Sequence, residues 1–353
     1  MKEAGDICVV SIPFVVGISL SAIMQRPYIC SSLALSLASV CIFVFSHSAK
    51  DRRFTATVMF LCIGVFCHSA AVLRGAGSSE NVLHSAFLST VRSYLNSMPF
   101  SEDTTPQLLC ALLSGDRTGM DKGLVKAFRD SGASHILALS GLHLGIIYAI
   151  IVRLTLSVGN SRKALAIRSL ITVSLCGFYS AATGWSASIV RAFLFIVLNE
   201  LSKLQSGRKR SPVSVYFAVL IIQLTINPLA ISTVSFQLSY LAVLGIVLIY
   251  PQLYGFYPDS GKFDIFRKIW SCAALSVSCQ ITTAPVAWLY FRTFPKYFLL
   301  TNLISLPLAE LVIVTALAAM ASYALFPGFA APVRICEFLT QTMVRCLEII
   351  SSM

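Results

Sequence analysis

SPVSVYFAVLIIQLTINPLAISTVSFQLSYLAVLGIVLIYPQLYGFYP, residues 211–258, runs for 48 positions without an Asp, Glu, Lys or Arg. A single membrane helix takes about 20 residues, so this stretch is read as two crossings. Asn227-Pro228 marks the turn between them, because the residue before a proline is pushed out of the helical region. The rest of the 353-residue chain agrees: 56% of it is hydrophobic and only 12% charged, with mean hydropathy +0.79, where soluble domains carry about 25% charged residues. The fold class expected is all-α, a polytopic helical membrane bundle of about 9–11 membrane segments with Pro-broken helices. Such a chain has no room for a large soluble catalytic domain.

Working outward, charge-free intervals place the other spans. Asp6 to Arg26, Arg26 to Lys50 and Arg53 to Arg74 bracket three, which make up an N-terminal region over 1–75. Glu3 and Asp6 argue against a cleaved signal peptide there. Region 76–132 is different: it mixes acidic and basic residues and is read as extracytoplasmic, interfacial amphipathic helices. Gly75–Ser79 is expected as a loop, Asn81–Met98 as an amphipathic segment, and Leu108–Leu113 and Gly123–Asp130 as short helices, with Asp121 capping the last. The membrane core follows over 133–353. Ala133–Val152 and Ser169–Val190 are uncharged; Lys268 to Arg292 encloses Pro285; Tyr297–Pro332 carries Glu310 alone, beside Pro307; and Arg334–Met353 is amphipathic.

Net charge is +12, from 27 Lys and Arg against 15 Asp and Glu. With the N-terminus cytoplasmic and Thr183-Gly184 as an outer turn, four inner connections collect Lys50, Arg52 and Arg53; Arg153, Arg162, Lys163 and Arg168; Lys203, Arg208, Lys209 and Arg210; and Lys262, Arg267 and Lys268. Positive charge accumulates on the cytoplasmic side of membrane proteins. Orientation therefore accounts for much of the surplus, which is weak evidence for a nucleic-acid partner. The 11 cysteines show no CxxC pair and read as small packing residues rather than a metal site or a disulfide framework.

The densest polar cluster is Ser114-Gly115-Asp116-Arg117 followed by Ser134-His135 and Ser140-Gly141-Leu142-His143. Ser140 and His143 are three apart and share a helix face, as a nucleophile and its base would. No GxSxG elbow, orienting acid or oxyanion hole accompanies them. His135 and His143 lie off a common face, and no third metal ligand is evident. The competing readings are a polar, water-filled path and close helix packing through Ser and Gly. Arg191 and Glu310 are charges in or near spans, and Glu310 is expected to face the interior and pair with Arg191. Gln237, Gln280, Thr282, Thr283 and Asn302 add polar groups, the last four near Pro285 and Pro307, as in transport paths. No GxxxxGK[ST] loop occurs, so any driving force must come from elsewhere.

LLSGDR (112–117), AFRDSGASHILALSGLHLG (127–145), ATGWSASIVRA (182–192), Asn227-Pro228 and SFQLSYLAVLG (235–245), with Gln280 before Pro285 and Asn302 before Pro307, resemble the competence domain of the ComEC family. The resemblance runs in order from about 108 to about 345. It implies a channel in the bacterial inner membrane that passes single-stranded DNA into the cytoplasm during natural transformation. It also implies a separate DNA receptor, a nuclease and an ATP-driven cytoplasmic motor as partners. Asp116, Arg117, Ser134, His135, Ser140, Gly141, His143, Arg191, Gln237 and Gln280 are carried over as the DNA path or its framework, with no catalytic residue, metal or cofactor. Relatives usually add an OB-like and a metallo-β-lactamase-like domain. Region 74–132 is too short for the first and the sequence ends at Met353 without the second, so strand degradation is expected of other proteins. Bases are expected to stack on aromatic side chains, without the sequence selecting one. A small-solute secondary transporter and an intramembrane serine hydrolase are the alternatives.

Overall fold

A computed structural model of the chain describes residues 2–24, 28–45, 48–74, 82–159, 161–205, 211–257, 265–292, 296–326 and 329–353. The loop expected at Gly75–Ser79, and Arg26, Arg208, Lys209, Arg210 and Lys262 of the connections, lie outside the described residues. The helices are α1 (Lys2–Met24), α2 (Ile29–Phe45), α3 (Ala49–Arg74), α4 (Val82–Ser97), α5 (Thr104–Ser114), α6 (Lys122–Asp130), α7 (Ser134–Leu137), α8 (Gly141–Leu154), α9 (Arg162–Ala182), α10 (Ala187–Leu204), α11 (Pro212–Ile226), α12 (Val234–Leu248), α13 (Tyr250–Tyr254), α14 (Ile265–Phe291), α15 (Phe298–Leu325) and α16 (Ala331–Ser351). Among the described residues there is no strand, and six helices are long and apolar enough to cross a membrane. Three shorter apolar helices, Cys30–Phe43, Pro212–Ile226 and Val234–Leu248, accompany them. The chain is an all-α, multi-pass membrane protein. Their outward faces carry large apolar side chains such as Ile23, Leu170 and Phe178, as a lipid solvent requires.

The chain divides into two compact units, one formed by 1–79 with 197–243 and the other by 80–196 with 244–353. In the first, α1 and α3 cross at reciprocal glycines. A Cβ on Gly17 would sit 2.1 Å from the Leu61 carbonyl oxygen, and one on Gly64 would sit 2.2 Å from that of Phe14. Backbones this close maximise dispersion contact, which is what holds helices together in lipid. Beside the crossing, Ser21 shares hydrogen bonds with Ser69 and His68, each 3.1 Å. The opening sequence stretch divides as expected. α11 ends at Ile226, a 3-10 turn spans Pro228–Ser232, and α12 begins at Val234.

In the second unit, α4, α5 and α6 pack against α15 and α16 around Leu108, Leu112, Phe128, Val312, Ile313 and Met343. Asp121 caps α6, its side chain accepting from the Leu124 N–H at 3.0 Å. α5 is buried at Thr105 and Pro106 and from Leu108 to Ser114. Leu108, Leu109, Leu112 and Leu113 are buried together with Thr105 and Cys110, so nearly the whole helix is covered by the rest of the protein. Side-chain hydroxyls fasten the block: Tyr94 to the Met320 carbonyl at 2.8 Å, Tyr179 to that of Leu113 at 2.8 Å, and Thr301 to that of Ser131 at 2.7 Å.

Two expectations about α14 and α15 change. Both helices run through their prolines, Pro285 and Pro307, without interruption, although each proline withholds the N–H owed to the carbonyl four residues before it. Glu310 does not face the interior. α15 buries Thr301, Ser305, Ala309, Val312, Ile313, Ala316 and Ala319, and Glu310 lies one residue, about 100°, out of that phase. It is exposed, and it makes no ion pair among the described residues. Arg191 is buried, at 8% exposure, and its surroundings are those of α8 and α14.

Candidate functional site

Residues 114–143 fold as linked turns that deliver the chain to the start of α8. Asp116, after α5, is buried and pairs with Arg92 of α4, and its carboxylate accepts from the Thr118 N–H at 3.0 Å and hydroxyl at 2.5 Å. Desolvation works to raise its pKa, but the Thr118 hydrogen bonds and Arg92 outweigh that and hold it below the ordinary carboxylate value. Arg117 is exposed and donates through Nε to the Leu137 carbonyl at 3.2 Å, capping α7. Ser134 reaches the Phe128 carbonyl at 3.5 Å, and His135 Nδ1 lies 3.1 Å from that of Gly132. Both are exposed.

Ser140 is extended, at φ −123° and ψ 170°, and forms the N-cap of α8. Its hydroxyl accepts from the Leu142 N–H at 3.2 Å, and His143 reaches back so that Nδ1 lies 3.0 Å from that hydroxyl and accepts the Ser140 N–H at 3.2 Å. This is a capping box with His in place of the usual Glu or Gln. An Nδ1 that accepts a backbone N–H carries no proton, so the proton sits on Nε2. That nitrogen is buried without a partner among the described residues, and His143 as a whole is 2% exposed.

Gly141 lets α10 come close. A Cβ there would meet the Ala192 Cβ and the Arg191 Nη2, each at 3.3 Å. The Arg191 guanidinium in turn lies within electrostatic reach of Cys279 on α14. α14 is also crossed tightly by the end of α12, since a Cβ on Gly245 would lie 2.2 Å from the Ser278 carbonyl oxygen and 2.7 Å from the Thr282 hydroxyl. Half-buried Gln280 follows on α14.

The structure thus gathers Ser140, Gly141, His143 and Arg191 into one cluster against α14. It places Asp116, Arg117, Ser134 and His135 in the turns leading to that cluster. Gln237 belongs to the other unit, where its Nε2 donates to the Ile231 carbonyl at 2.9 Å and holds the 3-10 turn after Asn227-Pro228. Sequence reasoning missed Arg92, whose pairing with Asp116 spans 24 residues, and Glu337. The Glu337 carboxylate accepts from the Ser101 and Glu102 N–H groups at 2.6 and 3.0 Å. No local pattern in the sequence links either pair. Chemically, a buried guanidinium beside the N-terminal turn of α8 makes a setting that favours an anion.

Comparisons with known proteins agree with the motifs. A family model described as "Competence protein" matches residues 112–353. "ComE operon protein 3" of Bacillus subtilis (strain 168) is 26% identical over 216 residues, covering 61% of this chain and 26% of that protein. "Uncharacterized protein YcaI" of Escherichia coli (strain K12) is 25% identical over 236 residues, covering 66% of this chain and 30% of that protein. The chain therefore spans less than a third of the length of these curated relatives. No solved structure matches it. The family match covers more than half of the 353 residues and includes the α8 capping box, the Arg191 turn and the Asn227-Pro228 break, so the chain belongs to the ComEC family of competence proteins.

Proposed function

We propose that the chain is the membrane conduit by which a single DNA strand enters the cytoplasm during natural transformation. The observation that carries this reading is the convergence of the family's motif residues at the start of α8, where Gly141 admits the buried Arg191. One guanidinium in a cluster with a hydroxyl and an imidazole attracts a phosphate without holding it fast. Transit needs sites weak enough to release, whereas rows of Lys and Arg on phosphates would bind tightly. In this reading the chain sits in the bacterial inner membrane with its N-terminus cytoplasmic. It works with a separate receptor, a nuclease and an ATP-driven motor. In this reading Ser140 and His143 serve as a cap and not as a nucleophile with its base, which is supported by the engagement of the Ser140 hydroxyl and His143 Nδ1 in the capping box.

Deletion of the gene is expected to abolish recovery of transformants from chromosomal DNA, and the wild-type chain supplied in trans to restore it. Undiminished transformation in the deletion strain would refute the reading.

A further inference from the structure

α9 and α10 are joined by four residues, Thr183 to Ser186. α9 ends in a Schellman motif: the Trp185 N–H bonds the Ser180 carbonyl at 3.0 Å, the Gly184 N–H bonds that of Ala181 at 3.1 Å, and Gly184 has φ +83°. That motif requires one left-handed residue, and Gly184 supplies it. Trp185 follows with φ +53°, a conformation bulky L-residues rarely adopt. A Gly or Asn would close the same turn with less strain. Strain kept at one position points to a use for the side chain held there.

The Trp185 side chain is presented rather than packed away. The residue is 44% exposed, and it meets Phe193 in a T-shaped contact with centroids 6.0 Å apart, which steadies the ring without covering it. Its indole N–H has no acceptor among the described residues. The turn itself is anchored. His84 Nδ1 lies 2.9 Å from the Ala182 carbonyl oxygen, and its ring would touch a Cβ on Gly184 at 3.2 Å. Directly after Trp185, the Ser186 hydroxyl is buried without a partner among the described residues, and Arg191 lies on the second turn of α10. An open aromatic surface therefore precedes a hydroxyl and a guanidinium along one helix start.

We infer that Trp185 is a stacking platform for an unpaired nucleobase at the mouth of the conduit. The inference rests on the proposed function. Stacking suits a conduit that takes any sequence, because every base offers a π-face. A tryptophan that served only as a membrane-interface anchor would need no left-handed backbone.

The chain has three tryptophans, Trp185, Trp270 and Trp288, so a W270F/W288F variant isolates the signal. In nanodiscs, fluorescein-labelled oligothymidylate is titrated while anisotropy reports binding and Trp185 fluorescence is read in parallel. A second set of discs carries brominated acyl chains. Saturable quenching of Trp185 with the same midpoint as the anisotropy is expected, with little quenching by brominated lipid. In the otherwise native chain, Trp185→Leu is expected to weaken oligonucleotide binding at least about fivefold, and Trp185→Phe to keep it within about twofold. That comparison decides the matter if the double variant does not fold. Binding without quenching, or with quenching by brominated lipid alone, would overturn the platform and leave the conduit reading standing. Absence of oligonucleotide binding by the native chain would count against the conduit and remove the platform with it.

Discussion

Ser140 and His143 show how far single residues can be read. Their spacing of three fits a nucleophile with its base and fits a capping box equally, and only the position of the helix start separates the two. Because Ser140 is extended and Gly141 begins α8, the cap is the arrangement present. Ser140→Asn retains a capping oxygen and removes any nucleophile, so it is expected to keep transformation near the wild-type level. Ser140→Ala is expected to cost about 1 kcal/mol of stability, read as a lowered melting temperature. A complete loss of transformation in the Asn variant would restore the hydrolase reading. Asp116 makes a second prediction. Its folded pKa lies below the ordinary value of 3.8, so its contribution is full above about pH 4 and fades as pH falls through the lower folded value. The melting temperature of Asp116→Asn should therefore lie below wild type at pH 6, with the gap closing in acid. A gap that widens in acid would contradict the Arg92 pairing. Glu310 was misplaced because its direction depends on the phase of α15, which the neighbouring Leu308, Ala309, Leu311 and Val312 do not reveal: they are apolar on every side.

At the scale of elements, charge-free intervals were enough to find the long helices and the division at Asn227-Pro228, since lipid tolerates few alternatives to an apolar helix. They did not reveal that Pro285 and Pro307 sit inside continuous helices, because a proline in a spanning helix can be accommodated by its neighbours. Nor did they reveal the burial of α5. Hydropathy cannot distinguish a helix covered by lipid from one covered by α15 and α16. The clamp that joins α16 to the entry of α5 is also invisible in sequence, since Ser101 and Glu337 lie 236 residues apart. Its loss should be measurable. Glu337→Ala leaves two backbone N–H groups without their carboxylate, and charged hydrogen bonds contribute about 1.5–3 kcal/mol. A clear fall in melting temperature is expected, with partial recovery in Glu337→Gln. An unchanged melting temperature in Glu337→Ala would show that the clamp contributes nothing.

For the whole molecule, the motif strings over 112–245 were legible as a family signature before any geometry, and the structure gives several of them physical tasks: a cap at Ser140, a close approach at Gly141, a strained turn at Gly184-Trp185, and a break at Asn227-Pro228. Which of these residues share a cluster was not legible, because α8, α10 and α14 meet only through tertiary packing. The net charge of +12 reads differently at this scale. Arg52, Arg153, Arg162 and Lys203 stand in the end turns of their helices, while Arg191 is the basic residue the structure buries at the cluster. The conduit reading makes that one guanidinium matter for passage of the strand and not for its capture outside. The most direct measurement is the amount of radiolabelled strand, from end-labelled duplex DNA, that becomes protected inside cells carrying wild-type chain, no chain, or Arg191→Leu at matched protein levels. The account predicts surface-bound label in all three, full internal label only with the wild type, almost none without the chain, and a loss of about tenfold or more with Arg191→Leu, of the order expected when a buried charge-assisted contact is removed. Internal label in the strain without the chain equal to that of the wild type would contradict it.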